Sequence, residues 1–216
     1  MTHPARKPRP EEETPQPKKL SRIQVRNRRK IMNAALEVFS SHGYRGATLD
    51  QIATEAGLSK PNILYYFEGK EAIHVELLNA LMFNWLAPLH KMGPGGDPMT
   101  EVLTYVRRKM EMSRQYPRES RLFANEVLQG APRMGPHLET GLKPLFDEKC
   151  AVLADWMAQG KLAKTDPGQL LMSIWAVTQH YADFDAQVNV LIADADAGWK
   201  AANSHVDLMF RKLLTP

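Results

Sequence analysis

An all-α fold is predicted by three features of this 216-residue sequence. Apolar residues recur at three- and four-residue spacings almost to the C-terminus. Prolines and short polar residues fall where those runs begin, as helix starts require. No segment alternates convincingly with the period of two that a strand needs. With 44% hydrophobic residues the chain has enough apolar mass to bury a core in one or two domains.

Residues 1–20 are set apart from the rest. They hold Arg6, Lys7, Arg9, Lys18 and Lys19, several prolines and the acidic run 11–13. This composition predicts a disordered, basic, Pro-rich leader, which either adds phosphate contacts, reaches into a minor groove or stays solvated. It has no apolar h-region, so no secretory signal is read there, and no run of about 18 apolar residues suggests a membrane span. A cytoplasmic protein without membrane partners is expected.

The first helix is predicted over 25–42. Ile31, Ala35, Val38 and Phe39 share a face, and Gly43 follows as a stop. Residues 48–70, TLDQIATEAGLSKPNILYYFEGK, then encode two short helices at a fixed crossing. Ala53 is small enough for helix contact, Gly57 supplies a positive φ for the turn, and Ile63 returns to the core six residues later. That is helix-turn-helix spacing. Thr48 is placed to cap the first of the pair and Ser59 the second. Pro61 falls in a first turn, where its missing N–H is not needed. Ile63, Leu64 and Phe67 are expected to form the buried stripe, leaving Lys60, Asn62, Tyr65 and Tyr66 outward.

Such an outward set suits DNA. Lysine and tyrosine hydroxyls reach phosphates, asparagine bonds a base edge, and tyrosine packs on a thymine methyl. Charge points to the same half of the chain. Residues 1–71 hold 13 Lys/Arg against 8 Asp/Glu, whereas 72–216 hold 15 against 16. Binding through the basic half is expected to weaken steeply with salt, because each neutralised phosphate releases counterions.

A long helix over 70–87 carries Ile73, Leu77, Leu78, Leu81 and Trp85, and Pro88 is expected to end or kink it. It bridges into the rest of the chain. Asp97-Pro98 opens a helix to 116 and Pro117 another to about 130. Residues 137–160 read as one or two helices interrupted near Pro144. Asp166-Pro167 caps a helix to about 184, and a last one spans 197–214. These segments form either a plain bundle or a bundle with a cavity.

Catalytic and metal chemistry find no foothold. Cys150 is the one cysteine, which excludes an intrachain disulfide and a thiolate zinc cluster, and its helical spacing to Phe146, Leu153 and Trp156 places it in a core. The seven histidines are scattered, without H-E-x-x-H spacing. There is no phosphate-cradling glycine loop and no G-x-S-x-G elbow. No cofactor and no enzyme activity are expected.

The pattern T-x-x-x-I-A-x-x-A-G-L-S from Thr48 to Ser59, the aromatic pair before Phe67 and G-K-E-A-I from Gly69 resemble the N-terminal domain of TetR-type repressors. The resemblance implies a three-helix DNA-binding domain over 21–69, with 59–66 as recognition helix. It implies a DNA-contacting set of Thr48, Ser59, Lys60, Pro61, Asn62, Tyr65, Tyr66 and Lys70, the last touching phosphate from the start of the next helix. Leu64 departs from the pattern, since many members carry tyrosine there.

A second group of segments extends the likeness past the DNA-binding part. W-L-A-P at Trp85, Y-P-R-E-S-R-L-F at Tyr116, G-A-P at Gly130, D-E-K at Asp147, G-K-L-A at Gly160 and T-Q-H-Y-A-D-F at Thr178 are similar to pyrimidine-utilisation regulators of the same family. The likeness implies that 70–216 is an all-α ligand-binding and dimerisation domain. It implies a homodimer on a palindromic double-stranded DNA operator, released by uracil or thymine, with the last two helices as dimer surface. A flat imide ring suits indole faces and an amide edge. Trp85, Trp175 and Gln179 are therefore the first candidates for ligand contact, with Thr178, Tyr181 and Asp183 behind them and Arg121 and Asn125 as further polar members. Two alternatives stand beside this reading. One is a regulator tuned to a hydantoin, purine or xenobiotic. The other is a small all-α enzyme fused to a DNA-binding module.

Overall fold

The computed structural model describes residues 21–192 and 194–216. The leader expected to be disordered lies outside the described residues. Among the latter, eleven helices and one π-helical turn account for the regular structure, and there is no strand. They are α1 (Arg22–Gly46), α2 (Leu49–Ala56), α3 (Lys60–Tyr66), α4 (Lys70–Lys91), α5 (Pro98–Gln115), α6 (Pro117–Leu128), α7 (Gly135–His137), α8 (Lys143–Ala158), α9 (Pro167–Asp183), α10 (Asp185–Leu191) and α11 (Ala195–Leu214). The π-helical turn, Leu138–Leu142, joins α7 to α8.

Helix starts obey local chemistry. Ser21 with Gln24 and Thr48 with Gln51 form reciprocal capping boxes, each hydroxyl accepting from the backbone N–H that would otherwise be unpaired. Ser59, Asp97 and Asp166 cap α3, α5 and α9, each followed by a proline in the first turn. Gly57 ends α2 in the left-handed region at φ 62 and ψ 38.

Two apolar cores result. The first gathers Ile31 and Phe39 of α1, Ile52 of α2, Ile63 of α3 and Ile73 and Leu78 of α4, and is joined by Leu122, Ala131 and Met134 from α6 and the loop after it. The second gathers Leu89 and Met92 with α5, α8, α9 and α11, around Trp156, Leu171 and Phe210. Leu86 of α4 packs against both. The long helix thus has one end in each core.

Several expectations are corrected. α4 continues through Pro88 to Lys91, because the fully buried Leu89 anchors its last turn in the second core. The interruption expected near Pro144 is the π-helical turn Leu138–Leu142, and Pro144 sits in the first turn of α8 that follows it. Helix α10 was not anticipated. Leu64 is 46% exposed instead of buried, because Ile63 and Phe67, one turn apart, already fill the core side of α3. Cys150 is only half-buried against the second core, and burial, followed by Asp147 and Asp166, raises its thiol pKa. Contrary to the expectation from its apolar runs, α4 is also long and apolar enough to cross a membrane. Its apolar side is the one buried by Ile73, Leu77, Leu78, Leu81 and Met82 in the first core.

Candidate nucleic-acid interface and effector cavity

On α3 the outward set is arranged by its neighbours. Asn62 and Tyr65 are exposed, Tyr65 at 69%. Lys60 Nζ lies 2.9 Å from Asp50 Oδ2 on α2, an exposed pair that holds the ammonium beside the helix. Tyr66 turns partly inward and packs against the first core, so the expectation that both tyrosines face solvent holds for Tyr65 only. The Tyr65 and Tyr66 rings meet edge to face at 5.0 Å.

The N-terminal half of α1 fixes the end of α3. Gln24 Nε2 donates to Tyr65 Oη at 3.1 Å and Asn27 Nδ2 donates to Tyr66 Oη at 3.1 Å. Arg28 Nη1 donates to the Tyr66 carbonyl at 3.1 Å, its guanidinium lies 4.4 Å from the Phe67 ring centre, and it pairs with Glu76 on α4. Sequence reasoning counted Arg28 only as charge and passed over Gln24 and Asn27. Their spacing along one side of α1 was the available signal.

Thr48, Ser59 and Pro61 are exposed, the two hydroxyls occupied with capping backbone N–H groups. Lys70 is placed differently from a free phosphate ligand. Its ammonium donates to the Tyr44 and Ala47 carbonyls at 2.8 Å each and lies 4.4 Å from the Tyr44 ring centre, tying the end of α1 to the start of α4. A third donor remains for another partner.

Farther along α4, a small apolar cavity opens between α4, α5, α6 and α9. Met82, Trp85, Leu86, Tyr105, Lys109, Phe123, Leu142, Trp175 and Gln179 line it. Trp85, Trp175 and Gln179, singled out from sequence, therefore converge on one space. Trp175 and Gln179 do so because they are one turn apart on α9. Trp85 and Phe123 rings lie 5.9 Å apart, and the Trp175 indole N–H donates to Tyr105 Oη at 2.7 Å.

The unforeseen member is Lys109. It is 4% exposed on α5, and its ammonium lies 4.3 Å from the Trp85 ring centre. Burial lowers its pKa to about 8, opposed by the charge of Asp183. Buried in its helix among Tyr105, Val106 and Met110, it reads in sequence as one more surface charge. Its place on the apolar stripe, four residues after Tyr105 and three before Met112, was the available signal.

The remaining candidates lie elsewhere. Thr178 is fully buried and its hydroxyl donates to the Ile174 carbonyl at 2.7 Å, the usual use of a threonine inside a helix. Tyr181 faces a separate open groove with Trp199 and Val188. Asp183 accepts from Ser120 of α6, and burial raises its pKa against that hydrogen bond and the Lys109 charge. Arg121 pairs with Asp185 at 2.5 Å, joining α6 to α10, and Asn125 is exposed.

The basic, tyrosine-bearing helix pair thus adjoins one end of α4, and the apolar cavity lies farther along the same helix. Residues 31–77 match the family model of bacterial regulatory proteins of the tetR family, and residues 78–216 match that of the C-terminal region of YcdC-like proteins. The chain belongs to the TetR family. It is 46% identical over 173 residues to the HTH-type transcriptional regulator RutR of Escherichia coli K12, covering 80% of this chain and 82% of that protein. The HTH-type transcriptional repressor SCO4008 of Streptomyces coelicolor is 23% identical over 186 residues, covering 86% of this chain and 93% of that protein.

Solved TetR-like structures share the fold. The regulator SCO4942 from Streptomyces coelicolor superposes with a TM-score of 0.64 at 24% identity, over 85% of this chain and 97% of that one. AibR in complex with isovaleryl coenzyme A and operator DNA superposes with a TM-score of 0.59 at 16% identity, over 72% and 85%. This TetR-family chain is accordingly a helix-turn-helix transcriptional regulator that binds DNA.

Proposed function

We propose that the protein is a cytoplasmic homodimeric repressor of pyrimidine-utilisation genes, released from a near-palindromic operator by uracil or thymine, and that it acts by binding rather than catalysis. The observation that carries this reading is the convergence of Trp85, Trp175 and Gln179 on one cavity in a chain 46% identical to RutR. Indole faces suit a flat ring, and an amide both donates to and accepts from an imide edge.

The proposed DNA-contacting set is Thr48, Ser59, Lys60, Pro61, Asn62, Tyr65, Tyr66 and Lys70, with 21–69 as the DNA-binding domain and 70–216 as the effector and dimerisation domain. Met172 of α9 and Leu208 and Leu213 of α11, each about half exposed, support a dimer surface on those helices. A two-fold dimer reads two half-sites about one helical turn apart.

Helix α4 supports a switch, because it carries Trp85 toward the cavity and Lys70 at the junction with α1. Ligand favours the arrangement in which the recognition helices no longer match successive major grooves. Only differential affinity counts, and a coupling of ~1 to 3 kcal/mol changes DNA affinity by roughly 5 to 150-fold. Tryptophan fluorescence tests the ligand assignment. Uracil or thymine at micromolar to millimolar levels is expected to change the emission, and Trp175→Ala or Gln179→Ala to abolish binding while leaving operator affinity intact. No response to either base refutes the pyrimidine assignment.

A further inference from the structure

The polar atoms around the cavity are unbalanced in kind. Among the described residues Lys109 Nζ has no hydrogen-bond partner, although the residue is 4% exposed and its ammonium sits against the Trp85 face. Tyr105, 3% exposed, uses its oxygen to accept from Trp175, which leaves its own O–H hydrogen to be placed. Trp175 has no N–H left for a ligand. Gln179 brings one amide donor group and one acceptor oxygen, and is the one lining residue with a side-chain carbonyl. Asp183 is directed to Ser120 and is not part of the lining.

A neutral ring imide brings N–H donors as well as C=O acceptors, and this lining has little to receive them. Loss of one ring proton removes a donor and places negative charge on the imide nitrogen and its flanking oxygens. That form answers a donor-rich cavity whose ammonium makes no hydrogen bond and shares the charge of Asp183 with Ser120 and other groups. We infer that the cavity binds its planar imide ligand as the ring-deprotonated anion, paired with the Lys109 ammonium. This rests on the pyrimidine reading and narrows it to acidic ring imides. On binding, the N–H bond of the ring is broken and its proton passes to solvent, while Lys109 keeps its own. Near pH 6.5 Lys109 is protonated in the free protein, because its pKa lies at about 8.

Proton release, together with a substituent effect, separates the two binding modes. An electron-withdrawing 5-fluoro group makes the ring N–H more acidic and so strengthens anion binding, and anion binding alone releases the ring proton. Titration calorimetry of the full-length protein with uracil and 5-fluorouracil at pH 6.5, in buffers of different ionisation enthalpy, reads both quantities. The expected result is tighter binding of 5-fluorouracil by up to about tenfold for each unit of added acidity, with release of about one proton per ring bound. Lys109→Met is expected to remove both the preference and the proton release. Binding of either ring without proton release overturns the inference and leaves the pyrimidine reading intact. Failure of both rings to bind overturns that reading itself. The preference and the proton count are measured on the unsubstituted protein, so they decide the question even if the variant does not fold.

Discussion

The Arg133 guanidinium lies 3.5 Å from the centre of the Tyr44 ring, bringing the loop after α6 onto the end of α1. Arg133 Nη1 lies 3.3 Å from Glu126 Oε2 at the end of α6, and Arg133 Nε lies 3.3 Å from Glu71 Oε1 at the start of α4. Lys70 approaches Tyr44 as well. Phe123, one turn before Glu126 on α6, lines the cavity. The contacts connect that wall of the cavity to the base of the DNA-binding helices.

Arg133 and Tyr44 substitutions are therefore expected to differ. Arg133→Ala leaves Glu126, 3% exposed, without its cation, and should lower stability by about 3 kcal/mol in urea unfolding. Tyr44→Leu keeps that pair and removes a contact worth about 0.5 to 2 kcal/mol. It should leave pyrimidine affinity unchanged while shrinking the effect of ligand on DNA binding. An undiminished effect in Tyr44→Leu would remove this junction from the switch.

His74 sets an acid limit on stability. It is 2% exposed between the Phe39 and Tyr44 rings, its Nδ1 has no partner among the described residues, and burial, opposed by Glu126, lowers its pKa from 6.5 to about 4. Above pH 6.5 the ring is neutral folded and unfolded. As pH falls from 6.5 toward 4, the unfolded chain takes up a proton that the folded one refuses, so stability is lost in that window. Between pH 7 and 5 the loss from this group is about 2 kcal/mol. Urea unfolding of His74→Phe at the two pH values should show a difference smaller by that amount.

Lys60→Ala and Tyr65→Phe probe the DNA-facing side. Lys60 and Asp50 are both exposed, so loss of the pair should change stability by less than about 1 kcal/mol. If the ammonium moves to a phosphate on DNA, Lys60→Ala weakens binding across sequences and lowers the salt slope by about one. Tyr65→Phe removes the hydroxyl held by Gln24 and should weaken operator binding without altering ligand affinity. Unchanged operator affinity in both variants would place the reading surface elsewhere.

Gly57→Ala isolates a backbone effect. A Cβ at this position meets no atom within 4 Å, but φ is +62. The substitution should cost about 1 kcal/mol through strain alone and leave the helix crossing intact, which thermal unfolding and operator binding together report.

Much of this was legible in the sequence where local chemistry decides the outcome. Thr48, Gly57, Ser59 and Pro61 act within a few residues of themselves, so their caps and turn follow from residue type and spacing. Trp175 and Gln179 meet because they are one turn apart. Long-range choices were not legible. Whether Tyr66 turns inward depends on Asn27 and Arg28, 39 and 38 residues away, and Lys109 becomes a cavity residue only when α4 and α9 close over α5. Of the two outcomes expected at Pro88, an end does not occur, because the cost of a proline near a helix end is overcome by burying Leu89.

Coupling between the cavity and DNA is the central expectation. The direct measurement is fluorescence anisotropy of a labelled palindromic operator from upstream of pyrimidine-utilisation genes, titrated with protein at fixed salt with and without uracil or thymine. Binding by a dimer is expected, with an affinity that drops by roughly 5 to 150-fold with either base. In Gln179→Ala this drop should disappear. An operator affinity unmoved by saturating uracil and thymine would contradict that expectation.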